Sequence, residues 1–157
     1  MSNTTPIPEL YVSPESGAKL KAEAASLPSW DLTRRQLCDL ELLMNGAFSP
    51  LKGFLDREDY DRVVSEMRLA DGTLWPIPVT LDVSGDFAAR IEPGQDIALR
   101  DPEGVILAIM SVSDKWTPDK AREAEGVYGK DDIAHPAVAY LRDVGGPVYL
   151  GGPVTGI

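Results

Sequence analysis

The chain is short of the residues that build reactive centres. It has one cysteine, Cys38, and one histidine, His135, among 157 residues. A single cysteine excludes an internal disulfide, and a single histidine excludes a two-histidine metal site. Basic residues are in deficit too. Fifteen lysines and arginines face 25 aspartates and glutamates, a formal charge of −10. Nucleic-acid binding relies on lysine and arginine to neutralise phosphates. Here they are scattered, and Arg34-Arg35 is the only adjacent pair. No apolar run approaches the length that crosses a bilayer. The start, Met1 to Pro8, lacks the basic-then-apolar pattern of a secretion signal. Internal repeats and low-complexity segments are also missing. These absences fit a cytoplasmic protein that binds neither membrane nor nucleic acid, with an acidic surface that serves solubility.

What is present is an ordinary globular composition, 43% apolar and 25% charged, long enough for one domain with a real core. The stretch from Arg34 to Leu55 organises it. Thr33 and Gln36 have capping-box spacing, and Leu37, Leu40, Leu43 and Met44 recur at helical spacing. Asn45-Gly46 then supplies residues that tolerate a left-handed backbone and end a helix. Cys38 lies near the apolar face and reads as a core thiol. After the helix, Phe48, Leu51, Phe54 and Leu55 load a segment broken by Pro50 and Gly53 with apolar surface. A solvated connection would avoid that surface. The segment therefore packs onto its own domain or, at Phe48, Ser49, Pro50 and Leu51, forms an interface with another domain or subunit.

Residues 1–29 read as an arm with a loose beginning and a short helix at Leu20–Leu27, ended by Pro28. A second helix begins at Asp56. Tyr60, Val63, Val64 and Met67 form its buried stripe, and Asp56, Glu58 and Asp59 suit the positive end of its dipole. From Leu74 to Val83 the chain is extended, with Pro76 and Pro78 at an edge and Val79, Leu81 and Val83 alternating inward. Glu92-Pro93-Gly94 and Asp101-Pro102-Glu103-Gly104 are turns, so Asp96–Arg100 and Val105–Val112 form a β-hairpin. Thr117-Pro118 opens a polar helix to about Glu125. His135-Pro136 precedes another at Ala137–Arg142, and Val148–Leu150 is a last strand. Helices first, then strands, then short helices with a strand indicate an α+β fold with a small mixed sheet.

The run from Arg35 to Leu55 resembles the signature of the amino-terminal domain of ATP sulfurylase (sulfate adenylyltransferase). So do Asp59-Tyr60, the block from Arg68 through Asp71-Gly72-Thr73-Leu74-Trp75-Pro76 to Val83, and His135-Pro136-Ala137-Val138-Ala139-Tyr140-Leu141. Several separate blocks in the right order make the resemblance specific from Trp30 onward. Ala47 departs from it, where the family is expected to carry glycine. The resemblance implies a PUA-like small β-barrel with flanking helices over residues 30–157, behind the arm at 1–29. It also implies a parent protein that joins sulfate to the α-phosphate of ATP, with magnesium, giving adenosine 5′-phosphosulfate and pyrophosphate. That chemistry belongs to a separate α/β domain with a two-histidine nucleotide motif, and this chain has no such motif. It is expected to be the front domain of that longer protein, partnered by the catalytic domain of the same chain and oligomeric in full length.

No catalytic constellation replaces the missing motif. Cys38 and His135 are nucleophile and base by type only, and His135 before a proline is better suited to cap a helix. Gly145-Gly146 and Gly151-Gly152 lack the lysine and hydroxyl of a P-loop. Asp82, Asp86, Asp131 and Asp132 have no matched partners in sequence and read as solvated. The chain itself is therefore assigned no catalytic residue, cofactor or metal. Two other readings compete: a PUA-type RNA-binding module, and a small free-standing enzyme using Cys38 or His135.

Overall fold

The computed structural model describes residues 6–157. The loose beginning expected of the arm falls on residues 1–5, outside the described residues. In chain order the elements are α1 (Pro14–Ala24), β1 (Ser29–Asp31), α2 (Arg34–Met44), β2 (Gly53–Phe54), α3 (Arg57–Glu66), β3 (Leu81–Val83) and α4 (Gly85–Ala89). They continue with β4 (Asp96–Arg100), β5 (Ile106–Ser111), β6 (Asp114–Trp116), α5 (Lys120–Tyr128), α6 (Pro136–Ala139), a π-helical turn (Tyr140–Val144) and β7 (Val148–Gly156). Helices and strands in this mixture make the fold α+β, as expected. The chain forms two compact, interleaved units. Among the described residues, one comprises the stretch up to residue 53 with 94–112 and 152–157, and the other 54–93 and 113–151.

The first unit is built on the hairpin. β4 and β5 pair antiparallel with a bulge at Leu99/Arg100. β1 adds to β4 in parallel, and the end of β7 pairs with β5. Ile97, Ala98, Leu99, Ala108 and Met110 are fully buried. Helix α2 begins with the expected capping box: Thr33 Oγ1 accepts from Gln36 N, and Gln36 Oε1 accepts from Thr33 N at 3.1 Å. Its buried residues are Gln36, Leu40, Leu43 and Met44. That register corrects the reading of Cys38, which is exposed. At about 100° per residue, a position two residues from both Gln36 and Leu40 points away from the stripe they share. The arm's helix also moves. It starts at Pro14, because Ser13 caps it by accepting from Ser16 N and proline suits the first turn. Ala24 packs there with Ala98 and Ile109.

In the second unit the first part of β7 runs between β3 and β6, antiparallel to both. Helix α3 starts at its Asp56 cap and buries Tyr60, Val63 and Val64. Met67 is not part of that stripe. It ends the helix in a left-handed conformation, φ 57°, and its side chain is 46% exposed. The extended segment from Leu74 forms a strand only at Leu81–Val83, since Pro76 and Pro78 have no N–H to offer a ladder. Helix α5 is capped by Asp119, not at Thr117, and runs on to Tyr128. Gly126 lets α5 approach α3 closely: a β-carbon there would lie 2.4 Å from Val64 O.

Candidate functional site

The chemically distinctive place in the structure is a buried carboxylate ringed by aromatics, and it lies wholly in the second unit. Glu123 of α5 is 6% exposed. Its Oε1 accepts from Tyr60 Oη at 2.5 Å and from Tyr149 Oη at 2.8 Å. Tyr60 comes from α3 and Tyr149 from β7, so three elements separated in sequence converge on one oxygen. Trp116 closes the ring. The centroids stand 5.5 Å (Tyr60–Trp116), 5.4 Å (Tyr60–Tyr149) and 5.8 Å (Trp116–Tyr149) apart, the last two pairs edge-on. A buried charge is tolerated only when paired or hydrogen-bonded, and two phenol donors meet that need. Burial, and after it the negative charge of Glu123, push both tyrosine hydroxyls well above their usual range. Both phenols therefore remain protonated donors, and the cluster is a hydrogen-bonded brace.

Beside it is a cavity of about 110 Å³ lined by Arg57, Tyr60, Asp61, Trp116, Asp119 and Arg122, among others. Asp61 stands 3.7 Å from both arginines, which offsets the positive charge they bring. Trp116 Nε1 is buried with no hydrogen-bond partner among the described residues. Two lysines nearby serve as caps. Lys115 Nζ donates to Ala88 O and Ile91 O, and Lys120 Nζ donates to Leu141 O at 2.8 Å and Gly145 O at 3.0 Å. Burial lowers the Lys120 pKa.

The residues singled out in the sequence are dispersed. His135 caps α6, its Nδ1 accepting from Ala137 N at 3.2 Å. Asp82 and Asp131 are more than solvated. Asp82 Oδ2 accepts from Gly146 N at 2.6 Å, and Asp131 makes a two-point ion pair with Arg142. Asp132 Oδ1 accepts from Ala134 N, and Asp86 is exposed in the first turn of α4. Among the described residues, no group of three or more His, Cys, Asp and Glu side chains is placed to hold a metal ion. In the first unit, Ser49 and Pro50 are exposed, Phe48 is half-buried, and Leu51 is buried at 8%. The loop is tied back by Phe48 N to Leu42 O and Leu51 N to Phe48 O.

Sequence reasoning missed Glu123, Trp116 and Tyr149. No local pattern joins them, because they meet only through the packing of α3, α5, β6 and β7.

The family model of the PUA-like domain matches residues 2–157. The chain belongs to the PUA-like domain family. Similar proteins include the sulfate adenylyltransferases of Eremothecium gossypii, 50% identical over 143 residues, and of Saccharomyces cerevisiae, 49% identical over 137 residues. These alignments cover 91% and 87% of this chain but only 28% and 27% of those proteins. A solved structure titled as a hexameric APS kinase from Thiobacillus denitrificans superposes with a TM-score of 0.72 at 38% identity, over 96% of this chain and 25% of that one. This PUA-like chain thus spans about a quarter of the length of the relatives it matches.

Proposed function

We propose that this PUA-like chain is the non-catalytic amino-terminal domain of a sulfate adenylyltransferase. The observation that carries the reading is the near-50% identity along about nine-tenths of the chain to proteins of that name, of which it spans only about a quarter. The architecture supports the same conclusion. Its buried carboxylate is committed to two tyrosines, its single histidine to a helix cap, and Lys115 and Lys120 to carbonyl ends. None of these arrangements gathers the cationic donors that a transferring phosphoryl group requires.

The parent protein joins ATP, with magnesium, and sulfate to give adenosine 5′-phosphosulfate and pyrophosphate in the cytoplasm. Residues 30–157 form the PUA-like portion behind the arm at 1–29, and the catalytic α/β domain of the same chain is its partner. The exposed Ser49-Pro50 tip, with half-buried Phe48, is one face offered to that domain or to a neighbouring subunit of a homo-oligomer, and buried Leu51 anchors it. Pyrophosphate release from ATP and sulfate tests the reading. The full-length protein is expected to be active and the 157-residue chain inert. Turnover by the short chain that survives purification and is lost in Cys38→Ala or His135→Ala would overturn it.

A further inference from the structure

In the second unit, the stretch from the end of α3 to β3 carries three exposed apolar side chains. Met67 is 46% exposed, Leu74 63% and Ile77 51%. A lone exposed aliphatic needs no account, but a group on one short segment does. The segment is also firmly built. Met67 O accepts from Trp75 N at 2.8 Å, Thr73 O from Leu69 N at 2.8 Å, and Leu69 O from Gly72 N at 2.9 Å. Asp59 Oδ1 accepts from Ala70 N at 2.8 Å, and the Arg62 guanidinium donates to Ala70 O at 2.6 Å. Such ordering lowers the entropy cost of meeting a partner. Met67 itself sits at φ 57°, a conformation that glycine adopts without strain and a side chain does not.

We propose that Met67, Leu74 and Ile77 form a docking ridge for the catalytic part of the full-length sulfate adenylyltransferase chain. The inference rests on the function proposed above. The occupant follows from three points. The matched relatives are several times longer than the matched stretch, so much polypeptide is available in the same chain. A covalently linked partner acts at high effective concentration, and a small apolar ridge then suffices. A second copy of this chain, by contrast, would need on the order of 1,000 Å² of interface, and each copy carries a formal charge of −10 that opposes it.

Methionine oxidation reads the ridge directly. Met44 and Met110 are buried and serve as internal controls. With dilute peroxide and peptide mass spectrometry, Met67 is expected to oxidise readily in the 157-residue chain and on the order of tenfold more slowly in the full-length protein. The full-length double variant Leu74→Ser/Ile77→Ser should return Met67 to the fast rate. Both substitutions are at exposed positions, and the melting temperature of the 157-residue chain carrying them should be unchanged. Equal Met67 rates in the short and full-length forms would overturn the proposal. So would protection in the short chain that grows with its concentration, since that assigns the ridge to a second copy. Adenylyltransferase activity of the same full-length sample separates the two readings. An active enzyme with unprotected Met67 sinks the ridge alone, and an inactive protein with protected Met67 sinks the functional reading and, with it, the identity of the ridge's occupant.

Discussion

Replacing Tyr149 by phenylalanine removes one hydroxyl from the buried carboxylate and little else. The ring remains, and with it the edge-on contacts to Tyr60 and Trp116 at 5.4 and 5.8 Å. What is lost is the 2.8 Å bond to Glu123 Oε1. A hydrogen bond to a charged group contributes about 1.5–3 kcal/mol. For a chain of this size, 1 kcal/mol moves the melting temperature by about 2–4 °C, so Tyr149→Phe should melt about 3–12 °C lower at neutral pH. The alkaline limb gives a second, independent signature. Burial and the Glu123 charge raise both tyrosines above their ordinary value of 10.0 in the folded state. A group with a raised folded pKa contributes stability that is fully present below its unfolded pKa and is lost as pH rises towards the folded one. Each such tyrosine therefore costs about 1.4 kcal/mol of stability per pH unit above 10. The parent chain carries two and the variant one, so their stability curves should converge as pH rises from about 10 to about 11.5. Urea unfolding across that range measures both effects. A variant that melts within about 1 °C of the parent at pH 7, or pH curves that stay parallel above 10, would refute the brace.

Phe54 is 3% exposed, and Phe54→Ala should destabilise the chain by about 3–5 kcal/mol, whereas Phe48→Ala, at a half-buried position, should cost under about 2 kcal/mol. Thermal melts decide, and equal large losses would leave the Phe48 loop a purely structural role. Gly126→Ala places a β-carbon 2.4 Å from Val64 O and 2.8 Å from Val64 Cγ1, so α5 must shift from α3 at a cost of about 1–3 kcal/mol by denaturant unfolding; an unchanged midpoint would show that the helices have slack. With its net charge of −10, the chain should show no salt-sensitive binding to structured RNA in low-salt fluorescence anisotropy. Saturable binding that weakens with salt would instead favour an RNA-binding module.

Features set by near neighbours along the chain were legible in the residues alone. The Thr33/Gln36 capping box, the Asp56 start of α3, the hairpin of β4 and β5, and the His135 cap all depend on residues within a few positions of each other, and all are present. The long coherent blocks from Arg35 to Leu141 also sufficed to mark the family. Helix register was less legible. A polar Gln36 sits on the buried face because Trp30 Nε1 and Thr33 N both donate to its side chain, and that moved Cys38 outward. Only tertiary structure decided the rest. Glu123 reads as one more charge on a polar helix until α3 and β7 bring two phenols to it. Met67 continues a helical stripe in sequence, yet its left-handed backbone turns it out to solvent. The physical reason is common to both. Caps and turns are local hydrogen-bond problems solved within a few residues, whereas burial of a charge or exposure of an apolar side chain depends on which distant elements close around it.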